Sequence, residues 1–155
     1  MNSCNYLIRQ REEFDVPGID TVVEKLIKMK AYLEQLRSIR PESYSAYLKD
    51  NTTRYAVERL LQLIVDLALD INNILLSYNK KPPAPDYFNS FIELVECGVL
   101  EESFAAGIAP STGLRNRLVH EYEAINNEVV YNCVEKVIEM YTLYIVEVNR
   151  FIQGK

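Results

Sequence analysis

Apolar residues recur along most of the chain at spacings that alternate between three and four residues. Such a stripe covers one face of an α-helix and makes that helix amphipathic. The first stripe consists of Ile19, Val22, Leu26, Met29, Leu33 and Leu36. The last stripe, in a helix that starts near Asn127, consists of Val130, Val134, Val137, Tyr141, Tyr144, Val148 and Phe151. The pattern therefore predicts a long amphipathic helix near each end of the chain.

The stretch from about Asn51 to Tyr78 is apolar on nearly every side, which is typical of the central helix of a bundle. One polar line interrupts it at spacings of three or four, so its members share one flank of the helix. The line consists of Glu58, Gln62, Asp66, Asp70, Asn73 and Ser77. The simplest interpretation is a solvated edge, although Glu58, Asp66 and Asp70 also suit a partner contact or the wall of a cleft.

Prolines and glycines divide the remaining chain into shorter helices. A proline cluster followed by Asp86 predicts a helix that begins near Tyr87 and ends at Gly98. A short helix over 101–107 is interrupted at Pro110, and helical character resumes over 113–122. We found no strand-like alternation and no repeat. The pattern predicts an all-α domain over 1–155, with an extension at 1–18 and an antiparallel four- to five-helix bundle over 19–153.

Length and charge narrow the possible functions. A chain of 155 residues with 48% hydrophobic residues is expected to fold as one domain. Its 17 Lys and Arg residues against 22 Asp and Glu residues give a net charge of -5, which argues against a general nucleic-acid coat and leaves room for a local basic site. No stretch reaches the roughly 20 apolar residues that span a bilayer, and the first residues do not resemble a signal peptide. We therefore expect a cytoplasmic protein with no membrane contact.

The chain has few residues of the types that usually take part in catalysis or metal binding. Cys4, Cys97 and Cys133 are widely spaced, so they predict neither a disulfide framework nor a C-x-x-C motif. The single histidine, His120, excludes metal sites with two histidine ligands and leaves any Cys–His nucleophile unsupported. No glycine-rich phosphate loop is present. We predict no metal and no cofactor, and the search reduces to the surroundings of His120.

His120 lies in the octet Arg115-Asn116-Arg117-Leu118-Val119-His120-Glu121-Tyr122. On an ideal helix, Asn116 and His120 lie roughly 40° apart, whereas Arg115 and His120 lie roughly 140° apart. One straight helix therefore does not aim Arg115 and His120 along the same line. Either the long arginine wraps around, or the helix deforms, or a second copy of the chain completes the cleft. We favour a site at a dimer seam.

The octet resembles a known motif. Arg115, four intervening residues and His120 reproduce the R-x4-6-H motif of HEPN domains, and the form Arg-Asn-x-Leu-Val-His-x-Tyr over 115–122 is similar to the HepT toxin family. The similarity extends over about 19–151 and includes the helix over 56–71. It implies a HEPN-like fold and a toxin of a toxin–antitoxin system. It further implies a metal-independent endoribonuclease that acts on cellular RNA as a homodimer whose two motif helices face one cleft.

The resemblance implies a role for each residue of the motif. His120 would move protons near neutral pH, and Arg115 would bind the RNA phosphate through two hydrogen bonds. Asn116 would orient the imidazole or bind the substrate, and Arg117 would hold the RNA backbone. Tyr122 would receive AMP from the antitoxin, a minimal nucleotidyltransferase of the MntA type, and the added phosphate would compete with RNA for Arg115.

Simpler interpretations and other functions stay open. A lone histidine is usually a surface or packing residue, Arg117 is spaced to pair with Glu121, and Tyr122 suits an aromatic packed at a helix end. A non-catalytic helical dimer, acting as substrate-binding or interaction partner of a nucleotidyltransferase, would not need His120. A nucleotide-binding module would use Arg115, Arg117 and Tyr122 to hold a mononucleotide, and Tyr122 would never be modified.

Overall fold

The computed structural model describes residues 18–120 and 125–154, and these ranges contain α-helices and no strand. The helices are α1 (Ile19–Ile39), α2 (Tyr44–Lys49), α3 (Asn51–Tyr78), α4 (Tyr87–Glu96), α5 (Glu102–Ile108), α6 (Ser111–His120) and α7 (Asn127–Gln153). The all-α prediction is confirmed. Five of the seven described helices have ten or more residues. Apart from residue 18, the predicted N-terminal extension lies outside the described residues.

Side-chain caps fix where several helices begin. The Asp50 and Asp86 carboxylates accept hydrogen bonds from backbone N–H groups in the first turns of α3 and α4. Asn126 caps α7 in the same way. The sequence pattern did not predict the six-residue α2, which Ser43 caps, because fewer than two helical turns are too short to show an apolar stripe.

Contacts between the long helices give their directions. Lys25 near the start of α1 pairs with Asp70 in the second half of α3, so these two helices are antiparallel. The Tyr144 hydroxyl of α7 donates to the Ala68 carbonyl of α3, and Tyr78 meets Phe151 at the far ends of the same helices. Helices α3 and α7 therefore run in the same direction. The shorter helices α4 to α6 return the chain from the end of α3 to the start of α7.

The predicted apolar stripes form the core. Every residue of the α1 stripe except Ile19 is buried, and Tyr141 and Tyr144 of α7 are fully buried. Burying one large apolar side chain contributes about 1.5–3 kcal/mol. The most apolar 18-residue stretch of α3 has a mean hydropathy of 1.5, so α3 is long and apolar enough to cross a membrane. Its central place in the fold explains this composition, because 61% of that stretch is buried inside the protein.

Candidate catalytic site

The motif lies on α6, whose side chains point to different sides. Leu118 is buried, and Leu114 packs against the core beside it. Arg115 lies on the side of α6 that faces α3 and α4. Asn116, Arg117 and His120 are exposed. Of the three predicted catalytic residues, Arg115 and His120 therefore point in different directions, and Asn116 is exposed.

Arg115 is held between α3 and α4. Its Nε donates to Asp66 Oδ1 at 2.6 Å, and its guanidinium carbon lies 5.2 Å from the centre of the Tyr87 ring. Its Nη1 donates to Asn116 Oδ1 at 3.3 Å. Gln62 Nε2 lies 3.5 Å from Asp66 Oδ2, so the second carboxylate oxygen also has a neighbour. Only 16% of the Arg115 side chain is exposed, compared with 33% for Asp66.

His120 is the last residue of α6, and among the described residues its imidazole has no hydrogen-bond partner. Asn116 lies one turn earlier, but its side-chain oxygen accepts from Arg115 and not from His120. Arg115 points toward Asp66, so it does not wrap around α6 toward the imidazole. The helix is continuous from Ser111 to His120. Of the three arrangements considered from the sequence, the described residues therefore show neither the arginine wrapped toward His120 nor a break within α6.

Arg117 lies on the opposite side of α6 from Arg115, at a groove between α6 and α7 with a volume of about 220 Å³. Lys136 of α7 borders the same groove. The lining is otherwise mostly apolar and includes Leu114, Val129 and Met140. The two cations at the edge of this groove could bind the phosphates of a nucleic acid.

Two predicted features lie outside the described residues. Tyr122, the predicted site of modification, belongs to the segment 121–124. The predicted pairing of Arg117 with Glu121 involves the same segment.

The polar line of α3 does more than form a solvated edge. Asp66 pairs with Arg115 of α6, and Asp70 pairs with Lys25 of α1 at 3.1 Å. Glu58 is partly buried, and this burial raises the pKa of its carboxyl group, while the nearby Arg54 opposes the shift. The line therefore connects α3 to the helices on either side of it, and one of its members reaches the motif.

Sequence reasoning did not identify Tyr87 as a site residue. The signal it gave was the helix start after Asp86, which says nothing about the ring's contact with Arg115. A buried network fixes this turn of α4: Tyr144 donates to Asn72 Oδ1 at 2.6 Å, and Asn72 donates to Ser90 Oγ at 3.0 Å. The Ser90 hydroxyl donates to the Tyr87 carbonyl at 2.7 Å. The backbone at Tyr87 is therefore linked to α3 through Asn72 and to α7 through Tyr144.

Residues 18–120 and 125–154 contain no group of three or more His, Cys, Asp or Glu side chains arranged to hold a metal ion. Cys97 and Cys133 are free thiols. Burial raises the pKa of the Cys97 thiol, Lys81 lowers it by less, and the nearby Glu96 and Glu93 reinforce the rise.

The family described as HepT-like ribonuclease matches residues 29–148. The tRNA nuclease HepT of Aphanizomenon flos-aquae is 39% identical over 121 residues, which cover 78% of this chain and 82% of that protein. The mRNA nuclease HepT of Shewanella oneidensis is 21% identical over 126 residues, which cover 81% of this chain and 94% of that protein.

A solved structure shares the fold. It is the tri-AMPylated Shewanella oneidensis HEPN toxin in complex with MNT antitoxin, with a TM-score of 0.77 and 21% identity. The match covers 84% of this chain and 98% of the toxin. The HEPN-like fold predicted from the octet is therefore confirmed.

Proposed function

Because the chain belongs to the HepT-like ribonuclease family, we propose that it is the toxin of a toxin–antitoxin pair and cleaves cellular RNA in the cytoplasm without a metal ion. Family membership confirms the predicted resemblance and the predicted endoribonuclease. The observation that carries the proposal further is the motif on α6, in which the His120 imidazole is exposed and the Arg115 guanidinium is hydrogen-bonded to Asp66. The tRNA and mRNA nucleases among the relatives support RNA as the substrate class.

RNA supplies its own nucleophile, the 2′-hydroxyl beside the scissile phosphate. In the proposed reaction the 2′-oxygen attacks phosphorus and the bond from phosphorus to the 5′-oxygen breaks, giving a 2′,3′-cyclic phosphate and a 5′-hydroxyl. The 2′-hydroxyl loses a proton and the 5′-oxygen gains one, so the reaction needs a proton carrier and a cation for the phosphoryl oxygens. His120 takes the first role, since it is exposed and histidine changes charge near neutral pH.

Arg115 takes the second role, with Asn116 beside it. Asp66 and Asn116 engage the Nε and Nη1 atoms of Arg115, and Nη2 has no acceptor among the described residues. That end of the guanidinium is free to donate to a phosphate. Asn116 contacts Arg115 directly, which favours a role for Asn116 at the substrate phosphate over a role in orienting His120. Arg117 holds the RNA backbone on the other side of α6.

A homodimer brings these groups to one cleft. Since Arg115 and His120 face different sides of α6, each active site in this proposal combines His120 from one copy with Arg115 from the other. A two-fold symmetric dimer repeats any such contact, so it would hold two equivalent sites.

We propose that Tyr122 is the residue through which an MntA-like nucleotidyltransferase antitoxin silences the toxin. Its phenolic oxygen would replace pyrophosphate on the α-phosphorus of ATP and so gain AMP. The modification would place a negative phosphodiester and a purine two residues after His120, where they compete with the RNA phosphate. The AMPylated state and the MNT antitoxin of the Shewanella oneidensis toxin support this assignment.

The test is to incubate the purified, unmodified protein with total cellular RNA in excess EDTA and to separate the products on a denaturing gel. We expect cleavage by the parent, and none by the variants His120→Ala and Arg115→Ala. Arg37→Ala, which removes an exposed arginine on α1, is the matched control and should behave as the parent. If the parent is inert while intact mass shows Tyr122 unmodified, the proposal is wrong.

The burial of Arg115 also favours a second candidate, the non-catalytic dimer that assists a nucleotidyltransferase. In that case Arg115 only fastens α6 to α3 through Asp66. The same assay separates the two functions, because a non-catalytic dimer gives no cleavage and tolerates His120→Ala.

A further inference from the structure

The ion pair between Asp66 and Arg115 joins the polar line of α3 to the motif. We infer that Asp66 is a positioning residue, which fixes the Arg115 guanidinium so that its unused N–H groups meet the phosphate of the RNA substrate. This inference rests on the proposed function. It assigns a role in the reaction to a residue outside the octet.

The hydrogen bonds of Arg115 leave one edge of its guanidinium for a ligand. A guanidinium carries five N–H groups. Asp66 Oδ1 accepts from Nε at 2.6 Å, and Asn116 Oδ1 accepts from Nη1 at 3.3 Å. One N–H of Nη1 and both of Nη2 have no acceptor among the described residues. An edge of this kind gives a phosphate two parallel hydrogen bonds, provided that the guanidinium plane is held still.

Tyr87 restricts the same guanidinium from a second helix. Its ring centre lies 5.2 Å from the guanidinium carbon, and its backbone carbonyl accepts a hydrogen bond from Ser90. Asp66 thus fixes one edge of the arginine while the aromatic ring limits the tilt of its plane. An arginine recruited only for its charge would need neither neighbour.

The negative charge of Asp66 makes it possible to distinguish positioning of Arg115 from attraction of the RNA phosphate. A carboxylate beside Arg115 opposes the approach of an RNA phosphate, so its removal favours RNA binding. The same removal lets the guanidinium rotate away from the orientation that the reaction needs. Asp66→Asn is therefore expected to lower kcat by about 10- to 100-fold while the KM for RNA stays equal or falls. A merely structural role would not lower kcat while the KM stays equal or falls.

Asp70→Asn is the matched control. Asp70 lies one turn further along α3 and also loses an ion pair when substituted, but its partner is Lys25 of α1. The two variants change the net charge equally, and both positions are partly or largely exposed, so both proteins should fold. We expect Asp70→Asn to keep the parent's kcat and KM. Asp66→Glu restores a carboxylate and should recover part of kcat.

A second measurement follows Arg115 itself. The ¹H–¹⁵N signal of its Nε–H group should move in Asp66→Asn and stay in place in Asp70→Asn. A short oligonucleotide with a 2′-deoxy group at the scissile position has no 2′-hydroxyl and therefore binds without being cleaved. When it binds, the Nε–H signal should keep the position that it has while Nε donates to Asp66.

The outcomes are distinct. Equal kcat in Asp66→Asn and Asp70→Asn would overturn the positioning role, and so would loss of the Nε bond when the oligonucleotide binds. If kcat and the melting temperature of Asp66→Asn fall together, and Asp66→Glu restores neither, Asp66 is structural. An inert parent would reject the proposed function, while the Nε signal would still show whether Asp66 holds Arg115.

Discussion

Asp66 and Asp70 lie one turn apart on α3, yet their carboxylates pair with cations from different helices. Asp66 accepts from Arg115 of α6 at 2.6 Å, and Asp70 pairs with Lys25 of α1 at 3.1 Å. Successive turns of one polar flank therefore fasten two neighbouring helices to α3. Of these two ion pairs, only the one between Asp66 and Arg115 includes a residue of the motif.

Replacing Tyr87 should weaken the hold on Arg115 without disturbing the core. A cation–π contact contributes about 0.5–1 kcal/mol at a partly exposed site, so Tyr87→Leu should lower kcat/KM for RNA by about two- to fivefold. Tyr87→Phe keeps the ring and should match the parent. Tyr55→Leu removes an exposed aromatic ring that contacts Arg54 at the start of α3, and it is the control. A loss in Tyr87→Phe equal to that in Tyr87→Leu would contradict stacking as the cause.

Stability should depend on pH through Glu58. Burial raises the pKa of this carboxyl group above its ordinary value of 4.5, so the folded state binds its proton more tightly than the unfolded state does. Stability is therefore lost as the pH rises through 4.5 and toward the folded-state pKa, and the penalty persists above it. Glu58→Gln removes the penalty, so it should raise the melting temperature at pH 7.

The advantage of Glu58→Gln should shrink as the pH falls below 4.5, where the parent carboxyl group is protonated in both states. Thermal melts of both proteins across this range provide the measurement. Glu34→Gln, at an exposed position on α1, controls for the change in net charge. A constant difference between Glu58→Gln and the parent at every pH would contradict burial as the cause.

The long helices could be predicted from the sequence because each carries an apolar stripe over many turns. That stripe is visible in the sequence, and it also causes the helix to be buried on one face. The octet could be recognised because all its members are adjacent in the chain. The partners of Arg115 were not predictable in this way. Asp66 was visible on the polar line and Tyr87 at a helix start, but spacing along the chain does not say which distant side chains meet. That depends on how α4 and α6 return across α3.

Arg117 should contribute to binding and not to the chemical step. It is exposed at the groove between α6 and α7, on the side away from Arg115. The binding constant for a single strand falls with salt, and the slope of log K against the logarithm of the salt concentration measures this dependence. Loss of one phosphate contact makes that slope shallower by about 0.7. Arg117→Ala should therefore raise KM, leave kcat unchanged and show a shallower salt slope, as measured with the 2′-deoxy oligonucleotide. The exposed Arg37→Ala variant should keep the parent's slope, and an unchanged slope in Arg117→Ala would remove Arg117 from the RNA interface.

Two inactive variants should restore activity to each other if the site is shared between copies. In a heterodimer of His120→Ala with Arg115→Ala, one site would combine the intact Arg115 of the first chain with the intact His120 of the second. The other site would lack both residues. Such a heterodimer, carrying two different tags and purified through both, should show about half the parent's activity per dimer, because one of its two symmetric sites is intact.

The same experiment tests the opposite arrangement. If each site draws Arg115 and His120 from one copy, neither site of the heterodimer is complete and it stays inactive. The positions of the side chains favour the shared site, because Arg115 is bound to Asp66 on the inner side of α6 while His120 is exposed at the end of that helix. Light scattering of the purified heterodimer confirms that two chains are present. A monomer that cleaves RNA at the parent's rate would contradict the shared site directly.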